Sequence, residues 1–350
     1  MLTITLEDLR FRFRQFLIAV MGAALVFAMT LLLAGLAAGF GVEIDKTVNA
    51  IGAQSWVLAS GASGRMASMP PILQTAVSAV SQEPGVIRSD PIVVSGQTAT
   101  VGSSPEQSII LFGVQRGGLG SPRPLAGRAI QDRGEAVVDS SLGARLGQSF
   151  TVAGHRLRVV GTVNERTLFG GNPGVYVTVP TAQSILFGGR HLISAVLTTG
   201  VPRALPPRYA VETNSQIEAA TLQQLASAKS SIDSSRFFMW LIAAIIVAGL
   251  IYVSALERTR DFAVLKALGS SSGLLFVGLA AQAVAVALAA AIIAALVANF
   301  MTGLFAQPVD IPVSAFVVLP LSAIAVGLIA SLAALRRAVS VDPATAFAGR

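Results

Sequence analysis

The residues able to do chemistry are sparse in this chain, and most familiar catalytic arrangements are missing. There is no Cys, which excludes disulfides, thiolate zinc sites, iron–sulfur clusters and a thiol nucleophile. The histidines are His155, at an expected hairpin tip, and His191, after a Gly-Gly-Arg loop. No His/Asp/Glu group has metal-ligand spacing. A phosphate-binding loop needs Lys directly after Gly, because that ammonium neutralises phosphates held by backbone N–H groups. Lys46, Lys229 and Lys266 are the lysines, and each follows another residue type. The chain has no P-loop route to ATP hydrolysis of its own.

Recognition chemistry is concentrated in residues 257–273, ERTRDFAVLKALGSSSG. Phe262, Leu265 and Leu268 fall at i, i+3 and i+6, on one face of a helix. Glu257, Arg258, Asp261 and Lys266 flank that face with charge. Gly269 is placed to stop the helix in a left-handed turn, and Ser271 or Ser272 can cap the next one. Such a segment fits a docking surface for a partner protein, and it equally fits an inert interfacial loop.

The elements that position this loop are apolar runs. Phe16–Phe40, Phe237–Leu256, Leu274–Phe300 and Phe316–Leu335 contain no Asp, Glu, Lys, Arg or His. Each reaches the roughly 20 residues a helix needs to cross a hydrocarbon core about 30 Å thick. Charged residues make up 12% of the chain and its mean hydropathy is +0.70, whereas soluble domains carry about 25% charge. The first run is longer than the roughly 7–15 apolar residues of a signal peptide, so a retained span is expected. The fold class is therefore an α-helical membrane protein with four transmembrane helices (1+3) and a large mixed α/β extracytoplasmic domain inserted between the first and second. The expected segments are 1–15, an amphipathic cytoplasmic helix or plain flanking charge; spans at 16–40, 236–256, 274–300 and 313–335; the extracytoplasmic domain at 41–235; the cytoplasmic loop 257–273; a short outer loop 301–312; and a cytoplasmic tail 336–350.

Basic residues in the short segments set the orientation. Arg10, Arg12 and Arg14 precede the first span, Arg258, Arg260 and Lys266 lie between the second and third, and Arg336, Arg337 and Arg350 follow the fourth. Residues 301–312 hold Asp310 and no base. Both termini and 257–273 are thus expected in the cytoplasm of a bacterium, with the chain multi-pass in its inner membrane. The +7 net charge is scattered without aromatic interleaving, which argues for a solvated or lipid-facing surface and against nucleic acid. The spans carry no ionisable residue to mark an ion path. Gln282 is strongly polar and able to bond across to a neighbouring helix, while Gly35 and Gly39 form a G-x-x-x-G that permits close helix packing.

Within 41–235, short Val- and Ile-rich runs bounded by turn residues predict strands at Ser55–Ala59, Ile92–Val94, Ser108–Phe112, Glu135–Val138, Phe150–Val152, Leu157–Val163, Val175–Val179 and Ser194–Leu197. Helices are predicted at Pro71–Ser81, Ser140–Leu146, Thr181–Leu186 and Ser215–Ser230, with Asp139 or Ser140 and Thr181 as caps. Gly154 centres an expected hairpin turn. Gly170–Gly174 and Pro202–Pro207 read as loops. The helix at Ser215–Ser230 either runs on into the second span or links to it.

The 257–273 loop resembles the coupling region of the FtsX/MacB family of ABC-transporter permeases (type VII, mechanotransmission class), whose pattern is Glu-Arg-x-x-Glu-hydrophobic, then Leu-(Arg/Lys)-Ala-Leu-Gly-Ala. Glu257, Arg258, Asp261, Phe262, Leu265, Lys266, Ala267, Leu268 and Gly269 match in order, with Asp261 for the usual Glu. Leu9–Leu17 resembles the family's basic N-terminal helix, residues 134–163 its external strand–helix–strand core, and Asp342, Pro343 and Ala346 its Asp-Pro-x-x-Ala tail. Gln282 stands where many members carry Glu.

The resemblance implies a non-catalytic permease subunit that pairs with a second permease subunit, as homodimer or heterodimer, in membrane lipid. It implies two copies of a separate cytoplasmic ATPase that dock on Glu257, Arg258, Asp261, Phe262, Leu265, Lys266, Leu268 and Gly269. No cofactor would bind this chain directly, and ATP and Mg would sit on the partner. Movement of the external domain would then serve export or extraction of a substrate. The alternative is a non-transporting regulator that activates extracytoplasmic cell-wall hydrolases through the same coupling.

Overall fold

The computed structural model describes residues 13–257, 264, 271–305 and 308–339. The expected amphipathic segment at the N terminus falls almost wholly outside them, as does the tail after Val339. The described chain forms two compact units. In order, its elements are α1 (Phe13–Ile51), β1 (Ser55–Ala59), β2 (Ile72–Leu73), α2 (Ala76–Ser81), β3 (Arg88–Thr100), β4 (Gln107–Val114), β5 (Ala126–Gly127), β6 (Glu135–Asp139), β7 (Ser149–Val152), β8 (His155–Val163), β9 (Thr167–Leu168), β10 (Asn172–Thr178), α3 (Val179–Phe187), β11 (Leu192–Ile193), β12 (Ala195–Thr199), β13 (Tyr209–Thr213), α4 (Asn214–Gln224), α5 (Ala226–Glu257), α6 (Ser272–Met301) and α7 (Val313–Val339).

One unit, residues 39–229 with a short piece of the outer loop, is built on a mixed sheet. Its strand order is β13-β1-β12-β3-β4-β10-β6-β8-β5, with β7 bridging β3 and β8. Most neighbours run antiparallel, but β10 lies parallel to β4 and β6 parallel to β8. The central strands are apolar on both faces, as strands covered on both sides must be. Alternate residues feed two separate cores: Val93, Ile109, Leu111, Val175 and Val177 on one side, and Ile92, Val94, Ile110, Phe112 and Tyr176 on the other. The first side is closed by α2 and α3 through Ala76, Val80 and Ala182. The second is closed by Ile44, Val48 and Ile51 of α1 and by Ile217 of α4.

Those α1 residues explain why the helix continues past the end of the apolar run at Phe40. Ile44, Val48 and Ile51 recur at i, i+4 and i+7, which is a core-facing stripe on an otherwise polar helix. All three are buried. The first turn-like stretch begins only at Gly52, whose φ of 74° suits glycine.

Several local expectations are corrected. Predicted helix Pro71–Ser81 gives way to the short strand β2 and then α2. Predicted helix Ser140–Leu146 shrinks to one 3₁₀ turn, Ser140–Leu142, because Gly143 takes φ 74° and ends it. Asp139 does cap this turn, its Oδ1 accepting the Ser141 N–H at 2.9 Å. Thr178, not Thr181, caps α3, with Pro180 in the first turn. The expected loop at Gly170–Gly174 is half strand: β10 begins at Asn172, and Pro173 and Gly174 are buried. Ser215–Ser230 is two helices. A capping box of Thr213 and Gln216 starts α4, the chain leaves helical geometry at Leu225, and α5 restarts at Ala226 and runs unbroken to Glu257.

The second unit holds the apolar helices. Among the described residues three are long and apolar enough to cross a membrane, at Val20–Ile51, Ala226–Gly249 and Phe276–Leu304; a shorter apolar helical stretch occupies Val313–Ser322 of α7. Their core is built from small residues. Ala283, Ala287, Ala290, Ala294 and Ala298 line one face of α6 and pack with Ala24, Phe27, Ala28 and Leu31 of α1 and with Ala243 and Val247 of α5. Spacing of this kind lets helix backbones approach closely where no hydrophobic drive operates between helices.

Candidate functional site

The candidate docking loop starts where α5 stops. Glu257 is the last residue of α5 and is exposed, and Val264 within the loop is helical and exposed. Arg258, Asp261, Phe262, Leu265, Lys266, Leu268 and Gly269 lie outside the described residues.

The three residues expected to pack helices, Gly35, Gly39 and Gln282, are among the described ones. Gly35 is buried in α1 and faces the outer loop: a Cβ there would stand 2.6 Å from Val309 Cγ1 and 2.8 Å from Ile311 Cγ1. The Gly35 carbonyl accepts the Asp310 N–H at 3.2 Å. The glycine thus admits a loop. Gly39 is buried one turn further on. Gln282 is buried on the alanine-rich face of α6 at 1% exposure.

A second cluster, which periodicity alone did not reveal, ties α1 to the sheet. Glu43 is 3% exposed, and a bare buried carboxylate would be costly. Its two oxygens instead accept the N–H groups of Gly170 and Gly171, each at 2.9 Å. Phe169, Gly170 and Gly171 all have positive φ, at 57°, 84° and 92°. That turn between β9 and β10 aims successive N–H groups at one anion. One turn along α1, Thr47 Oγ1 donates to the Thr167 carbonyl at 3.0 Å in a buried contact. Lys46 Nζ pairs with Glu165 at 2.9 Å on the surface. The signal in sequence was an acid at position 43 on the apolar side of a helix, flanking Ile44 and Val48.

Elsewhere in this unit the electrostatics are structural. Glu135 receives Arg128 and the N–H groups of Gln131 and Asp132. The Arg128 guanidinium, before the backbone donors, brings its carboxyl down to about 2. Burial pushes the Glu212 carboxyl up, opposed by the Gly64 N–H. Burial and then the Asp45 charge push Glu218 up. His155 is exposed at the β7–β8 turn, with Nδ1 3.2 Å from the Ala153 carbonyl. No group of acids and histidines able to hold a metal occurs among the described residues.

Known proteins match both halves of the chain. Residues 16–228 match the MacB-like periplasmic core domain, and residues 235–343 match the FtsX-like permease C-terminal family. An uncharacterized ABC transporter permease of Mycobacterium bovis is 38% identical over 349 residues, spanning 100% of both chains. Another, from Mycobacterium tuberculosis, is 37% identical over 351 residues, again 100% of both. Among solved structures, the periplasmic region of MacB from Actinobacillus actinomycetemcomitans is 14% identical, covering 50% of this chain and 96% of that one with a TM-score of 0.36. The extracellular domain of the transporter YknZ from Gram-positive bacteria is 16% identical, covering 47% and 88% with a TM-score of 0.33. With a MacB-like core and an FtsX-like C-terminal part in one polypeptide, and full-length relatives of the same kind, this chain belongs to the FtsX/MacB family of ABC-transporter permeases.

Proposed function

We propose that this chain is the membrane subunit of an ABC transporter in which a separate cytoplasmic ATPase drives movement of the α/β unit outside the cell membrane, for export or extraction of a substrate. The observation that carries the reading is the pairing of the two family matches in one chain, an external core domain followed by a permease segment. The chain's own chemistry agrees with a non-catalytic subunit, since no Lys follows Gly and the usual phosphate loop is absent.

In this reading α7 is the fourth span, both termini face the cytoplasm, and 257–273 meets the ATPase through Phe262, Leu265 and Leu268, with Glu257, Arg258, Asp261 and Lys266 as polar contacts. ATP and Mg bind the partner, which is present in two copies. The exposed apolar side of α5, including Phe237, Phe238 and Ile245, is left for lipid and for a second permease subunit. Movement reaches the sheet through α1, whose far end is held by Glu43 and Thr47. This supports transmission by a rigid lever, because a bidentate carboxylate and three buried apolar side chains must all be broken before that end can slip.

The test is the double variant Leu265→Asp/Leu268→Asp. Tagged full-length protein is purified from membranes, and the co-purifying ABC-type ATPase is identified by its P-loop sequence. Loss of the ATPase with normal membrane insertion is the expected result; equal recovery with the unsubstituted chain would refute the docking face.

A further inference from the structure

A cleft of about 740 Å³ opens in the α/β unit between the end of α1, the start of β3 and the loop 117–125. Its floor is apolar and fixed. Ile51, Val163 and Tyr176 line it, and each is 4% exposed. The Tyr176 ring is stacked on Phe112 at 4.9 Å, which holds it in place. Its wall is a Gly- and Pro-rich loop that is nonetheless anchored. Leu119 N–H donates to Asp90 Oδ2 at 2.8 Å, and Gly120 N–H donates to the Ile51 carbonyl at 2.8 Å.

The charged side chains that line the cleft are basic, while Asp90 and Asp139 bond to lining residues without lining it themselves. Arg88, Arg123 and Arg166 line it, and no acidic side chain is among the described residues that do. Arg88 is committed, with Nε donating to Asp90 Oδ2 at 2.6 Å and Nη2 to the Gly117 carbonyl at 2.7 Å. Arg123 and Arg166 have no carboxylate partner among the described residues. Arg166 is half-buried, and its backbone N–H is held by Asp139 Oδ2 at 2.8 Å. Burial raises the Tyr176 phenol; the Arg166 charge opposes that rise and the Asp139 charge adds to it. The nearest helix end belongs to α1 and carries partial negative charge, but the Ile51 carbonyl is already satisfied by Gly120. Two unmatched guanidinium groups over a buried apolar floor are suited to an anion of two charges with an apolar body. Guanidinium binds phosphoryl oxygens in a planar, bidentate manner.

We propose that this cleft binds a phosphate monoester whose organic part rests on Ile51, Val163 and Tyr176 while its phosphoryl group is held by Arg123 and Arg166. The site lies wholly within the α/β unit, so it stands apart from ATPase docking.

The experiment titrates para-fluorophenyl phosphate into the full chain in phosphatidylcholine nanodiscs, read by fluorine NMR. Saturable binding at one site is expected, weakened about tenfold or more by Arg166→Gln and by Arg123→Gln, the scale of a lost hydrogen bond to a charged group. Both residues are at least partly exposed, so folding survives their substitution. Arg208→Gln, whose guanidinium lies 5.1 Å over the Tyr209 ring, is the control and retains full affinity. Displacement of the probe by nanodiscs containing phosphatidic acid assigns the monoester to a lipid headgroup; lack of displacement assigns it to a free small molecule. Absence of saturable binding, or equal affinity in the Arg123→Gln/Arg166→Gln double variant, overturns the site. Equal affinity for inorganic phosphate overturns the role of the apolar floor.

Discussion

Glu43 and Gly171 are 128 positions apart in sequence and joined by one hydrogen bond of 2.9 Å, in a place where neither group meets solvent freely. That bond and its twin to Gly170 make the far end of α1 part of the sheet domain. The buried stripe Ile44, Val48 and Ile51 does the rest. The joint is polar and specific at one point and apolar along its length.

Glu43→Ala should therefore cost about 2–4 kcal/mol of stability, since it leaves two inward-facing N–H groups unpaired at roughly 1–3 kcal/mol each with some relief from water. Hydrogen exchange at the Gly170 and Gly171 amides of the full chain is the direct measurement. Protection equal to that of the unsubstituted protein would remove Glu43 from the joint.

Gly35 and Gly41 sit on the same helix and should respond oppositely to Ala. At Gly35 a Cβ meets Val309 and Ile311 at less than van der Waals distance, and overpacking of that kind costs about 1–3 kcal/mol. At Gly41 nothing lies within 4 Å, so Ala gains roughly 0.5–1 kcal/mol from helix propensity. Thermal melts in one detergent compare the two variants.

Ala287→Leu should destabilise the helical unit by about 1–3 kcal/mol, because Ala287 is fully buried on a face of α6 built from small side chains. Leu296→Ala, on the exposed side of the same helix, is the control and should change little. Helix unfolding in mixed micelles reads both.

Two carboxyl groups give opposite pH dependences. Glu135 is depressed to about 2, so its contribution is full above the unfolded value and is lost as pH falls from about 5 to about 2. Glu212 is raised; an acid that holds its proton more tightly when folded stabilises less as pH rises through its shifted value. Glu135→Gln should cost about 1 kcal/mol at neutral pH, given that Arg128 is solvent-screened, and should cost little at pH ~2.5. Glu212→Gln should stabilise the protein above neutrality and leave it unchanged near pH ~4. Melting curves across pH test both signs.

Much of the sheet could be read from alternation and turn residues. β1 spans Ser55–Ala59 as expected, because Trp56, Val57 and Leu58 are apolar and both ends carry breakers. β3 was underestimated: Arg88, Ser89 and Asp90 look like a loop, yet Asp90 is buried because Arg88 and the Leu119 N–H satisfy it. β13 was missed because its residues are half-exposed on a sheet edge and follow a Pro-rich stretch. The loop at 257–273 carries a pattern of apolar and charged residues in the sequence, but most of it lies outside the described residues. The Glu43 joint was not, since its partners come from chain far downstream and carry no side-chain signature, only backbone N–H groups.

The joint also has a consequence for how the protein is made. α1 precedes the sheet in the chain, so Glu43 must wait for Gly170 and Gly171 to be made. At about 5–20 residues per second, the 128 intervening positions take roughly 6–25 s to synthesise. Until then the Glu43 carboxylate lacks both of its backbone partners, so this fastening of α1 is among the later steps in assembling the α/β unit.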